Sequence, residues 1–146
     1  MSLATDSIFI AAIQSNPALV KRIGGRLYGT AIPLPDEDAD NVPVPYVIVT
    51  FNGLNNQNQT KDDVYECSYD TVNIGVEVTG ETINDLHELT QAVRDTILNY
   101  FRENETAISD YTFSADAIQY DSLKPCYWQT LRYQCEVENL NDDEQD

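Results

Sequence analysis

The stretch TVNIGVEVTGETINDLHELTQAVRDTILNYF, residues 71–101, decides the fold class because its hydrophobic periodicity changes partway along. Apolar and polar residues alternate up to residue 79, as in a strand with one buried face. From residue 82 the apolar residues recur at spacings of three and four, as in an amphipathic helix. We therefore predict a strand over 71–79, ended by Gly80, and a helix over 82–101 with Thr82 as its N-cap.

Upstream of this stretch, residues 5–23 predict a helix that is broken in the middle. Residues 5–7, Thr-Asp-Ser, offer N-caps for its first part. Asn16 followed by Pro17 restarts the helix, since asparagine caps and proline suits the first helical position. The Gly24-Gly25 pair then provides a left-handed stop.

The remaining strands are predicted on both sides of the deciding stretch. Residues 26–28 form a short extended segment, and residues 45–51 are β-rich. After the long helix, residues 111–120 and 127–137 alternate and are joined by 121–125 as a hairpin.

The order α-β-β-β-α-β-β indicates an α+β fold. We expect a largely antiparallel sheet on which the N-terminal broken helix and the long helix pack. The length of 146 residues fits one domain, over residues 1–137. Residues 138–146 are acidic, and we expect them to form a disordered tail.

The charge balance excludes one large class of functions. The chain has 25 acidic against 8 basic residues, a net charge of −17, so it is unsuited to gripping nucleic acid through its phosphates. The longest apolar run, residues 8–13, is far too short for a membrane helix. The first six residues lack the basic start of a secretory signal, and we expect the chain to be made in the cytoplasm and to have no membrane partner.

Residues that could support catalysis or a cofactor occur in incomplete patterns. His87-Glu88 opens like a zinc-protease helix, but Gln91 stands where the second histidine is required. Cys67, Cys126 and Cys135 include no CxxC pair and are predicted to be buried free thiols. We therefore expect no enzymatic activity, no bound metal and no cofactor.

Two polar segments are predicted to be exposed loops. The acidic segment 35–41 places three aspartates at the first, third and fifth positions of a calcium-loop pattern, but Asn41 and Val47 fail its sixth and twelfth positions. Residues 52–63 are rich in Asn and Gln. Exposed polar segments are costly to order without a partner, so we expect both to contact one. The candidate contact residues are Asp36, Glu37, Asp38, Asp40, Asn55, Asn56, Gln57 and Asn58.

The order and spacing of short motifs resemble the tail terminator (tail completion) proteins of long-tailed bacteriophages and prophages. The resemblance spans about residues 8–137. Its motifs are Gly25-Arg26-Leu27-Tyr28, Pro33, Pro45-Tyr46-Val47-Ile48-Val49, the alternating strand 72–78, the helix with Leu86, Val93 and Ile97, and the closing strand Trp128-Gln-Thr-Leu-Arg-Tyr.

The resemblance implies a structural role without catalysis. Relatives of this kind form a hexameric ring on the head-proximal end of the tail tube, which stops tube growth and offers a docking surface for the head. The implied partners are further copies of the chain, the tail tube protein and the head–tail connector protein. DNA would pass through the ring without specific binding, and the protein would be located in the virion.

Two other interpretations remain open at this point. A head–tail connector (neck) protein of the same virion would share the acidity, the size and ring formation. A monomeric acidic binding module with no phage role would share only the fold and the charge.

Overall fold

The computed structural model describes residues 2–29, 43–56, 68–123 and 125–139. In chain order, the elements are a 3-10 turn (Ser2–Ala4), α1 (Thr5–Gln14), α2 (Pro17–Arg22), β1 (Leu27–Tyr28), β2 (Val47–Asn56), β3 (Ser68–Gly80), α3 (Ile83–Glu103), β4 (Ile108–Ala115), β5 (Gln119–Asp121) and β6 (Cys126–Asn139). The predicted α+β class is confirmed.

One sheet contains all six strands, in the order β1-β2-β3-β6-β4. β1 runs parallel to β2, and the other pairings are antiparallel. β3 pairs with β6 from Gly80↔Tyr127 to Ser68↔Asn139, so β4 and β5 must share the opposite side of β6. The sheet is therefore mixed but largely antiparallel, as predicted.

The three helices cover one face of this sheet. Alternate residues of β3 and β6 turn towards them and are almost fully buried. These inward residues are Val72, Ile74, Val76, Val78, Leu131, Tyr133, Cys135 and Val137. They form one core with apolar side chains of the helices, among them Phe9, Ile13, Leu19, Leu86, Leu89, Val93 and Ile97. The periodicity of residues 71–101 thus correctly identifies both the strand and the helix.

Helix ends follow the predicted chemistry at two of three starts. Thr82 Oγ1 accepts a hydrogen bond from the N–H of Asp85 at 3.1 Å, and Asn16 caps α2. Gly24 and Gly25 adopt φ of 61° and 74°, which explains the left-handed stop. The predicted side-chain cap of α1 is wrong, because Ala4 occupies the N-cap position after the 3-10 turn.

Two strand predictions need correction. Residues 52–56, predicted as part of a loop, continue β2 and pair with β3 beyond a bulge at residues 52–53, where Gly53 takes a φ of 127°. Residues 111–120, predicted as one strand, divide into β4 and β5. β4 ends just before Asp116. The backbone N–H of Asp116 donates a hydrogen bond to β6, at the carbonyl of Thr130, directly after the final β4 pair.

Candidate functional site

The face of the sheet opposite the helices is polar and uncovered by any described element, and we call it the open face. Its side chains alternate with the core residues along the strands. Its polar members in the described chain include Thr50, Asn52, Asn55, Thr71, Asn73, Glu77, Asp110, Thr112, Ser114, Thr130, Arg132, Gln134 and Glu136, and the apolar Ile48 and Trp128 lie on the same face. Most of them are short or uncharged, which suits contact with another macromolecular surface.

Two shallow depressions lie on the open face. One, of about 220 Å³, is lined by residues that include Asn55, Asp110 and Glu136. The other, of about 450 Å³, is lined by residues that include Asn73 and Arg132. Small-molecule sites are mostly apolar and enclosed. These depressions are open and mainly polar, so they do not resemble such a site.

The charge of the open face is set by its acids. Arg132 donates from Nε to both carboxylate oxygens of Asp116, at 2.8 and 2.9 Å. These hydrogen bonds lower the pKa of Asp116 and raise the pKa of Arg132. Since this pair is internally neutral, Glu77, Asp110 and Glu136 give the open face a negative charge.

The structure describes two of the eight predicted contact residues. Asn55 is exposed on the open face, and Asn56 donates from Nδ2 to Oδ1 of Asp70 at 2.6 Å. Both lie in β2 and not in a loop, because β3 pairs with them. Their role as partner contacts stays a prediction. The other six residues lie outside the described part of the chain: Asp36, Glu37, Asp38, Asp40, Gln57 and Asn58.

Chemically reactive side chains in the described residues are dispersed. His87 is exposed on α3. Cys126 and Cys135 are buried, as predicted, and form no disulfide with each other. Burial raises the pKa of Cys135 to about 12, so its thiolate is strongly disfavoured. Cys67 lies outside the described residues. The described ranges contain no group of three side chains suited to holding a metal ion. The expectation that the chain is not an enzyme stays a prediction.

Aromatic residues form a cluster beneath β4, at one edge of the sheet. The ring of Tyr133 lies 5.0 Å from Phe9, 5.1 Å from Phe113 and 5.6 Å from Tyr111, measured between centroids. The guanidinium of Arg94 stacks 4.2 Å above Phe113. Tyr111 and Phe113 are only half-buried, although they face the core side. Apolar surface is therefore left at the β4 edge.

The opposite edge of the sheet also carries uncovered apolar side chains. β1 pairs with β2 only at Val47 and Ile48. No described strand lies beside residues 50–56 on that side. Within this segment Phe51 is half-buried and Leu54 is 37% exposed. No sequence pattern distinguishes these edges, because the strand order becomes known only from the pairing.

No described helix is both long enough and apolar enough to span a bilayer.

Comparison with known proteins adds information at the level of the fold. No protein-family model matches the sequence, and no curated protein matches it. Among solved structures, the chain is similar to one from the virion of a native gene transfer agent particle. The fold is shared with a virion chain. The TM-score is 0.59 at 10% sequence identity, and the similarity covers 92% of this chain and 94% of the virion chain.

Proposed function

We propose that this chain is a structural protein of a phage-like virion, and more specifically a tail terminator. Copies would form a hexameric ring at the head-proximal end of the tail tube, stop its polymerisation and provide the surface to which the head docks. The observation that carries the proposal is the similarity to a virion chain over almost the full length of both chains. The order of sequence motifs supports the tail-capping role within that class.

Two sheet edges beside which no described strand lies support assembly into a ring. A ring of identical subunits needs a heterologous interface, in which two different surfaces of one chain meet. β4 and residues 50–56 of β2 are two such surfaces, at opposite edges of one sheet. Exposed edge strands readily pair with other chains.

The acidity supports a channel for DNA. Each copy carries a net charge of −17, and the described members of the open face include the acids Glu77, Asp110 and Glu136. Repulsion between like charges keeps DNA from adhering to a wall of this kind. DNA would then pass through the ring without being retained. The implied partners are the tail tube protein and the head–tail connector protein.

Similarity to a virion chain also supports a head–tail connector of the same virion, so the test must separate the two roles. Electron microscopy of the purified protein, alone and added to polymerising tail tubes, does so. A terminator gives rings at one tube end and tubes of limited length. Tubes that elongate unchecked would contradict the tail-capping role, and rings that bind only heads would favour the connector.

A further inference from the structure

We propose that neighbouring copies join edge to edge, with residues 50–56 of β2 in one copy beside β4 of the next, so that one sheet continues across the contact. The inference deepens the proposed ring function and rests on it. It names the partner of each edge as a second copy of this chain. The alternatives are pairing of like edges in a twofold dimer, or contact through the helices.

Strand direction favours this contact. From β2 through β3 and β6 to β4 every pairing is antiparallel, so β4 runs opposite to β2. All subunits of a ring point the same way along its axis. β4 of one copy therefore meets β2 of the next in the antiparallel orientation. Antiparallel strands pair slightly more stably than parallel strands do.

The two edges also lie at the same level of the sheet. Thr50 is linked through Gly75 and Arg132 to Ser114, residue by residue across the ladder. At the other end, Asn56 is linked through Asp70 and Val137 to Ile108. Residues 50–56 of β2, beside which no described strand lies, thus span the same height as residues 108–114 of β4. A neighbour at the same axial height brings the two segments side by side.

Matching side chains would meet in this register. Phe51 lies at the level of Phe113, and Leu54 lies at the level of Tyr111, all four on the core side of the sheet. All four are incompletely buried apolar residues. Cross-strand aromatic and aliphatic pairs stabilise antiparallel sheets. A shift by two residues keeps the same faces together, whereas a shift by one would place apolar against polar residues.

Each edge segment contains a bulge, but both lack the charged residues that usually protect solitary edge strands. Natural proteins guard exposed edges with charged residues, lysine above all. β2 has no charged residue, and β4 has only Asp110, although 23% of the residues in the chain are charged. Contact through nearly neutral strands also keeps the repulsion between acidic copies out of the interface.

Cysteine pairs test the contact. The variant Thr50→Cys/Ser114→Cys places thiols on the open face at the proposed joint, and Thr50→Cys/Thr112→Cys covers a register shifted by two residues. Cys67 is changed to serine in every variant, and the chain with that change alone is the baseline. After mild oxidation at high protein concentration, non-reducing electrophoresis should show a ladder of species larger than a dimer for at least one pair.

Matched variants exclude other contacts. Each single cysteine, Thr50→Cys or Ser114→Cys, should give a dimer at most. The retained Cys126 and Cys135 are buried, so such a chain has one accessible introduced thiol and cannot extend a ladder. Thr50→Cys/Gln134→Cys should give no ladder, since β6 lies one strand further in, about 4.8 Å beyond β4 and out of disulfide reach. Efficient dimers from one single variant would indicate pairing of like edges and overturn the proposal.

The outcomes separate this inference from the proposed function. Folding of each variant is checked by circular dichroism. If the pairs do not cross-link while the Cys67→Ser baseline forms rings that arrest tube growth, the edge contact is wrong and the ring function stands. If the ladder forms but tubes elongate unchecked, the edge contact stands and the tail-capping role fails.

Discussion

Asn16 donates a hydrogen bond from Nδ2 to Oγ1 of Thr96 at 3.0 Å, which ties the break between α1 and α2 to the middle of α3. The same side chain accepts a bond from the N–H of Leu19 through Oδ1 at 3.3 Å. One amide therefore caps α2 and fixes its position on the long helix. Thr96 is 7% exposed, so its hydroxyl depends on this partner more than a surface hydroxyl would.

Replacement of Asn16 should reveal both roles. We expect Asn16→Ala to lower the free energy of unfolding by about 1 to 2 kcal/mol, because a cap is lost and a buried hydroxyl loses its donor. Asn16→Asp keeps the capping oxygen and should cost less. Urea unfolding of Asn16→Ala with and without Thr96→Val gives the interaction free energy between Asn16 and Thr96. Equal stability of Asn16→Ala and the unmodified chain would show that neither bond contributes.

Phe9 joins the N-terminal helix to the aromatic cluster, with its ring centroid 5.3 Å from Phe101 and 5.0 Å from Tyr133. Because Phe9 is fully buried, we expect Phe9→Ala to cost about 3 to 5 kcal/mol. Leu3→Ala, at a side chain that is 73% exposed, should change stability by no more than about 0.5 kcal/mol. Chemical denaturation of both variants measures the contrast. Similar losses would mean that the cluster does not anchor α1.

Tyr133 has a buried hydroxyl with no hydrogen-bond partner among the described residues, and the side chain is 2% exposed. Burial raises its pKa, and nearby Tyr111 raises it further, while Arg94 acts in the opposite direction. Above about pH 10, where an unfolded tyrosine ionises, the folded chain resists ionisation. The contribution of the neutral, buried Tyr133 to the stability of the folded chain is therefore complete below about pH 10 and is lost as the pH rises further.

We expect Tyr133→Phe to be as stable as the unmodified chain at pH 7, or more stable by about 1 kcal/mol, because the unsatisfied hydroxyl is removed. Its advantage should widen above about pH 10. The variant should still lose some stability at alkaline pH, because burial also raises the pKa of Tyr46 to about 12. Unfolding curves between pH 7 and the alkaline limit test this, and a gap that narrows with pH would contradict it.

A charge placed on an edge should weaken assembly, whereas the same charge on a central strand should not. We expect Ser114→Lys to raise the concentration needed for assembly about tenfold or more, and Gln134→Lys, on the same face of β6, to have little effect. Adding Thr50→Glu to Ser114→Lys should restore part of the loss through an opposite-charge pair. Light scattering against concentration measures all three, and equal weakening by both lysines would argue against the edge contact.

The isolated ring should not retain DNA even at about 50 mM salt, where electrostatic binding is strong. If the open face lines the channel, Asp110→Lys/Glu136→Lys should introduce measurable retention. Reversal of two acids on α3, Asp85→Lys/Asp95→Lys, changes the net charge equally on the other side of the sheet and should not. Filter binding separates the cases. Tight binding by the unmodified ring would refute the non-adhesive channel.

Sequence periodicity predicts most of this fold, since each amphipathic element buries one face and so repeats its apolar residues at a fixed interval. The strand and helix within residues 71–101 follow directly. Residues 52–56 were missed because Asn and Gly disfavour strands locally, whereas pairing with β3 satisfies their backbone in the folded chain. The break after Ala115 is equally hidden, because alternation continues through it.

The candidate site was less predictable for a physical reason. Asn55 and Asn56 were identified by composition alone, and the structure places them on a strand. The two edges depend on which strands are neighbours and at what level they pair. Phe51 and Phe113 are far apart in sequence, and only the ladder through Ile74 and Tyr133 shows that they share a height.

The antiparallel series β2, β3, β6 and β4 has an even number of members, so each added copy starts in the same direction as the previous one. Complementary edges alone therefore do not determine the number of subunits in the ring. That number must depend on how sharply the sheet bends from one copy to the next. Bulges bend strands, and both edge segments contain one, at residues 52–53 and at Ser109. Lengthening or removing a bulge would then alter the diameter of the closed assembly while the joint itself is kept.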